Sequence, residues 1–289
     1  MRARPASGCS TRNDRAPRWI AGFCVVAAAV VAGALSSCSL PKRAANPSFA
    51  VTRPDAAKDL ARMQSSPVTA TRPVVFLAGI GDPAVSSGAL RKAIEPTLSA
   101  PADLPVGCAP IAEVHFFGET SFDGARQTAF RELALAFGVE PTQLPEVDVV
   151  AFSMGGLVAR DLAIADKAGR RLPIRRLYTV GTPHQGARLA GVLMGIPIGA
   201  DMMPSSEFLA RLADAPRDYE LVCYTRLDDV TVGEEYTAPN GEPVWWLPSS
   251  SGEWGHMSSF KDPRFQADIA RRLRGEEPLT HAPAAPLPN

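Results

Sequence analysis

Cysteine is scarce in this chain, five in 289 residues, and no two of the five stand as C-x-x-C. A zinc ribbon or a thioredoxin-like redox site is thereby excluded. Histidine is scarcer still, and any imidazole chemistry must come from one of four residues: His115, His184, His256 and His281. Charge of one sign is not in excess, with 30 Lys+Arg against 30 Asp+Glu. The balance of 46% hydrophobic and 21% charged residues is that of a globular protein, not of a disordered, coiled-coil or collagen-like one. The charges are nevertheless unevenly placed. Arg2, Arg4, Arg12, Arg15 and Arg18 precede Trp19 with Asp14 as the only acid among them, which leaves a mildly acidic body. Such a body suits nucleic acid poorly, because phosphate contacts need clustered cations. No internal repeat is visible.

The run Trp19–Leu35, WIAGFCVVAAAVVAGAL, carries no charge but falls short of the roughly twenty residues of a membrane-spanning helix. After its basic start it reads as a secretory signal, with an uncleaved anchor helix or cleavage to a soluble product as the alternatives. Its end, Leu35-Ser36-Ser37-Cys38, resembles the bacterial lipoprotein signal. The resemblance implies that residues 1–37 are removed and that Cys38 becomes an acylated N-terminus at a membrane. Ser39 then permits sorting to the outer membrane of a Gram-negative cell, facing the periplasm. Residues 38–72, rich in Pro, Ala and Ser, are expected to form a tether, and residues 275–289, ending APAAPLPN, a disordered tail. With Cys9 and Cys24 lost and Cys38 acylated, an exported compartment allows Cys108 and Cys223 to pair as a disulfide; two free thiols are the alternative.

Between the two ends, apolar runs alternate with helical patterns. Strands are expected at Val74–Ala78, Ile111–Phe117, Val147–Phe152, Ile174–Val180, Tyr219–Tyr224 and Val244–Leu247. Helices are expected from Ser87 to before Pro96, over Arg126–Phe137, Leu157–Ala168 and Pro263–Arg274. This alternation implies βαβ units and one α/β domain over residues 73–274 with a mostly parallel sheet.

The sharpest motif is Ala151-Phe152-Ser153-Met154-Gly155-Gly156, at the end of one strand and the start of a helix. A serine hydroxyl is a weak nucleophile. It needs a base beside it and N–H donors for the oxyanion formed on attack at a carbonyl. A tight strand–Ser–helix turn lifts the hydroxyl clear of the sheet and aims the Met154 N–H at the developing charge. The hexapeptide resembles the nucleophile elbow G-x-S-x-G of α/β-hydrolases, with Ala151 in place of the first Gly. In that family the order is Ser, then Asp or Glu, then His. His256, in Gly255-His256-Met257-Ser258 between the last strand and the closing helix, is the candidate base. His115 belongs to a strand, His281 to the tail, and His184 to Gly181-Thr182-Pro183-His184-Gln185-Gly186, a stretch similar to a site-lining loop of lipases. The acid is expected in Leu227-Asp228-Asp229-Val230; the family's Asp-x-Val/Ile pattern favours Asp228, with Asp229 as the alternative. The turn Ala78-Gly79-Ile80-Gly81 resembles the lipase His-Gly-x turn and offers the Ile80 N–H as the second oxyanion donor. A phosphate-cradling reading of that G-x-G is weak, because the third Gly is missing.

Residues 186–215 interrupt the alternation with Gly, Pro and three Met, which suits a mobile cap over an acyl pocket. Its section MMPSSEFLARL resembles a segment of bacterial triacylglycerol-lipase-like proteins. The resemblance to lipase/esterase-type α/β-hydrolases implies hydrolysis of carboxylic esters with apolar acyl groups by Ser153, Asp228 and His256, without metal or organic cofactor. Two rivals stand beside it: thioester, amide or acyl-transfer chemistry on the same residues, and a non-catalytic lipid-binding surface lipoprotein.

Overall fold

The computed structural model describes residue 49 and residues 51–104, 108–193, 195–248 and 252–280. The chain divides into two units, Met1–Leu40 and Pro41–Asn289, and the described residues all lie in the second. The expected signal peptide, Cys38 and His281 fall outside them. No helix among the described residues is long and apolar enough to cross a membrane.

Six strands form one parallel sheet: β1 (Val74–Ile80), β2 (Ile111–Phe116), β3 (Val147–Phe152), β4 (Ile174–Val180), β5 (Glu220–Arg226) and β6 (Val244–Leu247), in the order β2-β1-β3-β4-β5-β6. The helices are α1 (Arg53–Ser65), α2 (Val85–Ile94), α3 (Phe122–Phe137), α4 (Met154–Ala163), α5 (Pro197–Asp201), α6 (Glu207–Asp214), α7 (Gly255–Ser259) and α8 (Pro263–Arg274). β1 and β3 are almost wholly apolar because both sheet faces are covered there. Alternate residues go to different cores. Val75, Leu77, Val149 and Ala151 pack with α3 and α4, whereas Val74, Phe76, Val150 and Phe152 pack with α1, α2 and α8. The exception within β3 is Asp148, 1% exposed, which is neutralised by Arg176 at 2.6 Å.

The order has a functional consequence. From β1 the chain crosses to β2 on one side and then returns to place β3 on the other. Beyond the C-terminal ends of β1 and β3 lies the switch point where open α/β sheets hold their ligands. Register pairs Leu77 with Ala151, so the turn after β1 and the turn after β3 emerge side by side.

Three expectations are corrected. Residues 53–65 are not tether but helix, started by the Thr52 cap and closed over α8. Ala56, Leu60 and Met63 enter the core, Asp59 pairs with Arg271 at 2.6 Å, and the Met63 carbonyl accepts from Arg274. The segment after α8 is packed as far as Thr280, whose N–H donates to Asp268 and which bridges to buried Phe49. The 186–215 insert is no free cap either. Ile198, Met202, Leu209 and Leu212 join the core beside α3, and Phe208 stacks on Phe122 with ring centroids 3.9 Å apart. These residues are consumed by core packing, although Val192 and Met203 of the insert stay exposed. Smaller differences concern helix ends: α4 begins directly after Ser153 and stops at Ala163, five residues before the expected Ala168.

Because Met63 is fully buried, Met63→Ala is expected to destabilise the protein by about 2–5 kcal/mol in urea titration. A tether would tolerate the change without effect.

Candidate active site

β3 ends in Ser153 with φ 53° and ψ −128°, left-handed for a residue that is not glycine. Such backbone costs on the order of 1–3 kcal/mol and persists only where surrounding bonds impose it. Here those bonds are visible. The Ser153 N–H donates to the Val180 carbonyl (2.9 Å), and the Ser153 carbonyl accepts from Gly156 N–H (3.1 Å) and Thr182 Oγ1 (2.8 Å). The last of these explains the Gly181-Thr182-Pro183 stretch: it follows β4 and clamps the elbow from that side. Gly155 admits the close approach of β1, since a Cβ there would stand 2.5 Å from the Ala78 carbonyl oxygen. Ala151 is fully buried inside β3, so its methyl is accommodated without a first Gly.

Two loops deliver the partners. His256 is the second residue of the short α7 and is 4% exposed. Its Nε2 lies 3.0 Å from Ser153 Oγ and its Nδ1 lies 2.7 Å from Asp229 Oδ2. The network assigns the proton to Nδ1, donated to the carboxylate, and leaves Nε2 to accept from the serine hydroxyl. The other carboxylate oxygen of Asp229 accepts from the Thr231 and Val232 N–H groups at 3.1 and 3.0 Å. Phe152 covers the imidazole at 4.8 Å between centroids.

Asp228, the favoured acid in the sequence, is not the residue that meets His256. Its carboxylate accepts from Arg226 Nε at 3.2 Å. The reason is the strand end: β5 runs two residues beyond Tyr224, to Arg226, and the tight turn that follows aims neighbouring side chains in different directions. Asp229, the alternative, makes the contact. The backbone of Asp228 serves instead as a seat for the base loop. A Cβ on Gly255 would stand 2.5 Å from the Asp228 carbonyl oxygen, so the residue before His256 must be glycine.

Arg226 was not anticipated. It is fully buried, with Nε on Asp228, Nη1 3.3 Å from Glu253 and 3.7 Å from Asp262, and its Nη2 has no hydrogen-bond partner among the described residues. Glu253 also meets Arg53 of α1 at 3.0 Å. This guanidinium therefore ties the acid-bearing loop to the base-bearing loop. The only signal in the sequence is a cation closing an apolar strand.

Met154 is the first residue of α4, where N–H groups have no intrahelical acceptor. Across from it, a Cβ on Gly79 would stand 3.4 Å from Ser153 Cβ, which brings the turn carrying Ile80 against Ser153. The remaining sequence candidates are elsewhere. His115 lies on β2 beside Ser87 and Glu113. Cys108 and Cys223 are free thiols, and burial pushes Cys223 up to about 12. His184 accepts from Arg160 Nη1 at Nδ1 (3.2 Å) and faces Thr179 Oγ1 with Nε2 (3.1 Å).

A serine, imidazole and carboxylate in one hydrogen-bonded line, in that chain order, at the switch point of a parallel sheet complete the architecture. The chain has the α/β-hydrolase fold. No family model and no curated protein matches it. Similar solved structures include a phospholipase, PlaB, from Legionella pneumophila, 16% identical over 55% of this chain and 40% of that one, with a TM-score of 0.41. The lipase BlEst2 of Bacillus licheniformis in its mature form is 16% identical over 68% of this chain and 89% of that one, at TM-score 0.44. A cutinase-like protein from Cryptococcus sp. is 11% identical over 72% of this chain and 98% of that one, at TM-score 0.42. The chain thus spans less than half the length of the Legionella phospholipase.

Burial, then the charges of Arg160 and Arg217, hold the His184 pKa well below its ordinary 6.5. The unfolded chain takes up a proton that the folded chain refuses, so His184 contributes full stability above pH 6.5 and progressively less as pH falls below it. The thermal midpoint is expected to drop between pH 6.5 and 5, and to drop less steeply in His184→Gln; parallel slopes would refute the assignment.

Proposed function

We propose that this protein is a serine hydrolase that cleaves carboxylic esters with apolar acyl groups. The observation that carries the reading is the unbroken line Ser153 Oγ, His256 and Asp229, with separations of 3.0 and 2.7 Å, built on a strained turn. Ser153 attacks the ester carbonyl while His256 Nε2 takes its proton. Asp229 holds the ring and stabilises the imidazolium. The tetrahedral oxyanion accepts from the Met154 and Ile80 N–H groups; removing one such donor costs about 3–4 kcal/mol in comparable hydrolases. His256 then protonates the departing alcohol, and water repeats the sequence on the acyl-enzyme.

The apolar preference rests on the surroundings. Val85 follows β1, Phe117 follows β2, and Trp254 and Met257 flank His256; all four are exposed, at 52, 63, 48 and 37%. Large apolar side chains left in water on the turns and helix starts beyond the strand ends suit an apolar partner. The acylated Cys38 expected from the sequence would hold the site at a lipid surface, in the outer membrane of a Gram-negative cell.

Turnover of p-nitrophenyl esters of graded acyl length, beside matched thioesters and amides, tests the reading. Esters are expected to be cleaved fastest, and Ser153→Ala, His256→Ala and Asp229→Asn each to lower kcat by a factor of about 10³ or more. Asp228→Asn is expected to stay within about tenfold of wild type, because its carboxylate accepts from Arg226 while Asp229 meets His256. Equal loss in Asp228→Asn and Asp229→Asn would remove the acid assignment, and absence of any ester turnover would remove the function.

A further inference from the structure

A cavity of about 550 Å³ lies apart from the serine: its lining includes none of Ser153, Asp229 or His256. Its volume is within the range of small-molecule sites. Arg160 of α4 lines it, and the residue is 8% exposed. Charged groups this deeply buried are normally paired. Arg160 has no carboxylate within 4 Å among the described residues. Nη1 donates to His184 Nδ1 at 3.2 Å, Nη2 to the Leu212 carbonyl at 2.6 Å, and the remaining contact is the Tyr219 side chain. All are neutral acceptors, and His184 stays neutral for the reasons given above.

Neighbouring carboxylates are already engaged. Asp161, adjacent in sequence, is taken by Arg126 and Arg211. Glu242, on the cavity wall, is paired with Arg217. Among the described residues, one positive charge is therefore left without a counter-ion on the wall of a cavity whose other surfaces include Ile164, Leu209 and Leu212. Ser205 on the same wall adopts φ 66°, the kind of local strain that accompanies ligand clamps.

We propose that this cavity binds an amphiphilic monocarboxylate, with the carboxylate against Arg160 and the hydrocarbon against Ile164, Leu209 and Leu212. A single negative charge matches the single unpaired cation, and the guanidinium fork suits a carboxylate. Binding here does not require ester hydrolysis at Ser153. Its neighbour His184 nevertheless lies two residues from Thr182, which clamps the elbow carbonyl.

Isothermal titration of the full chain with octanoate, 1-octanol and inorganic phosphate tests the site. Octanoate is expected to bind saturably at one site and to raise the thermal midpoint, with octanol and phosphate each at least about tenfold weaker, since each lacks one half of the recognition. Arg160→Gln is expected to weaken octanoate at least tenfold. Because that variant also loses contacts to α6, Ala213→Trp provides the second arm: Ala213 is an exposed wall residue, and its indole should fill the cavity while Arg160 and the fold stay intact. Octanoate binding undiminished in folded Ala213→Trp, octanol or phosphate binding as tightly as octanoate, or no saturable binding to wild type would each overturn the proposal.

Discussion

The two hydrogen bonds of the His256 ring set the terms for the rest of the molecule. One imidazole has to reach a serine 103 residues away and an aspartate 27 residues away in sequence, and do so while 4% exposed. The sheet order solves the first problem, because β3 and β5 deliver Ser153 and Asp229 to the same edge. The loop after β6 then needs to bring only one residue over that edge. Burial makes the line stronger and less forgiving together: in a low-dielectric setting an aligned bond gains strength, and a misaligned polar group is costly.

Precision of this kind has to be held by something other than the three residues themselves. At the elbow it is held by backbone, through Val180 and Gly156, and by Thr182. At the other side it is held by charge. Arg226 joins Asp228, Glu253 and Asp262, and Arg53 carries the same network into α1. Breaking a buried pair from one side leaves an uncompensated charge, which is why such clusters fix geometry even when they add little net stability. Helix α1 is accordingly part of the frame that positions the His256 loop, not an appendage to it.

The central strands were legible because strands covered on both faces read as continuous apolar runs, as VDVVAF does. Ser153 was legible because few contexts other than a strand-to-helix turn place serine between Phe152 and Met154-Gly155-Gly156, and His256 because its three rivals sat on a strand, in a loop directly after one, or in the tail. What escaped has physical causes. α1, RPDAAKDLARMQS, shows only Ala56, Leu60 and Met63 as its apolar stripe amid charges, so its period was faint, although the Thr52 cap and Pro54 behind it marked the start. The choice between Asp228 and Asp229 turned on two residues of strand length, and side-chain direction in a turn changes with every residue. The apolar insert reads as a cap in the sequence because composition cannot say which way a hydrophobic side chain faces. Arg226 and Arg160 escaped because a buried guanidinium has no periodic signature at all.

The proposed chemistry depends on Ser153 being an activated nucleophile. Incubation of the intact protein with a fluorophosphonate, followed by peptide mass mapping, measures that directly. A single adduct on Ser153, formed at least about a hundredfold more slowly once Asp229 or His256 is replaced, is the predicted result. A folded protein that takes no adduct, or takes it on another serine, contradicts the account.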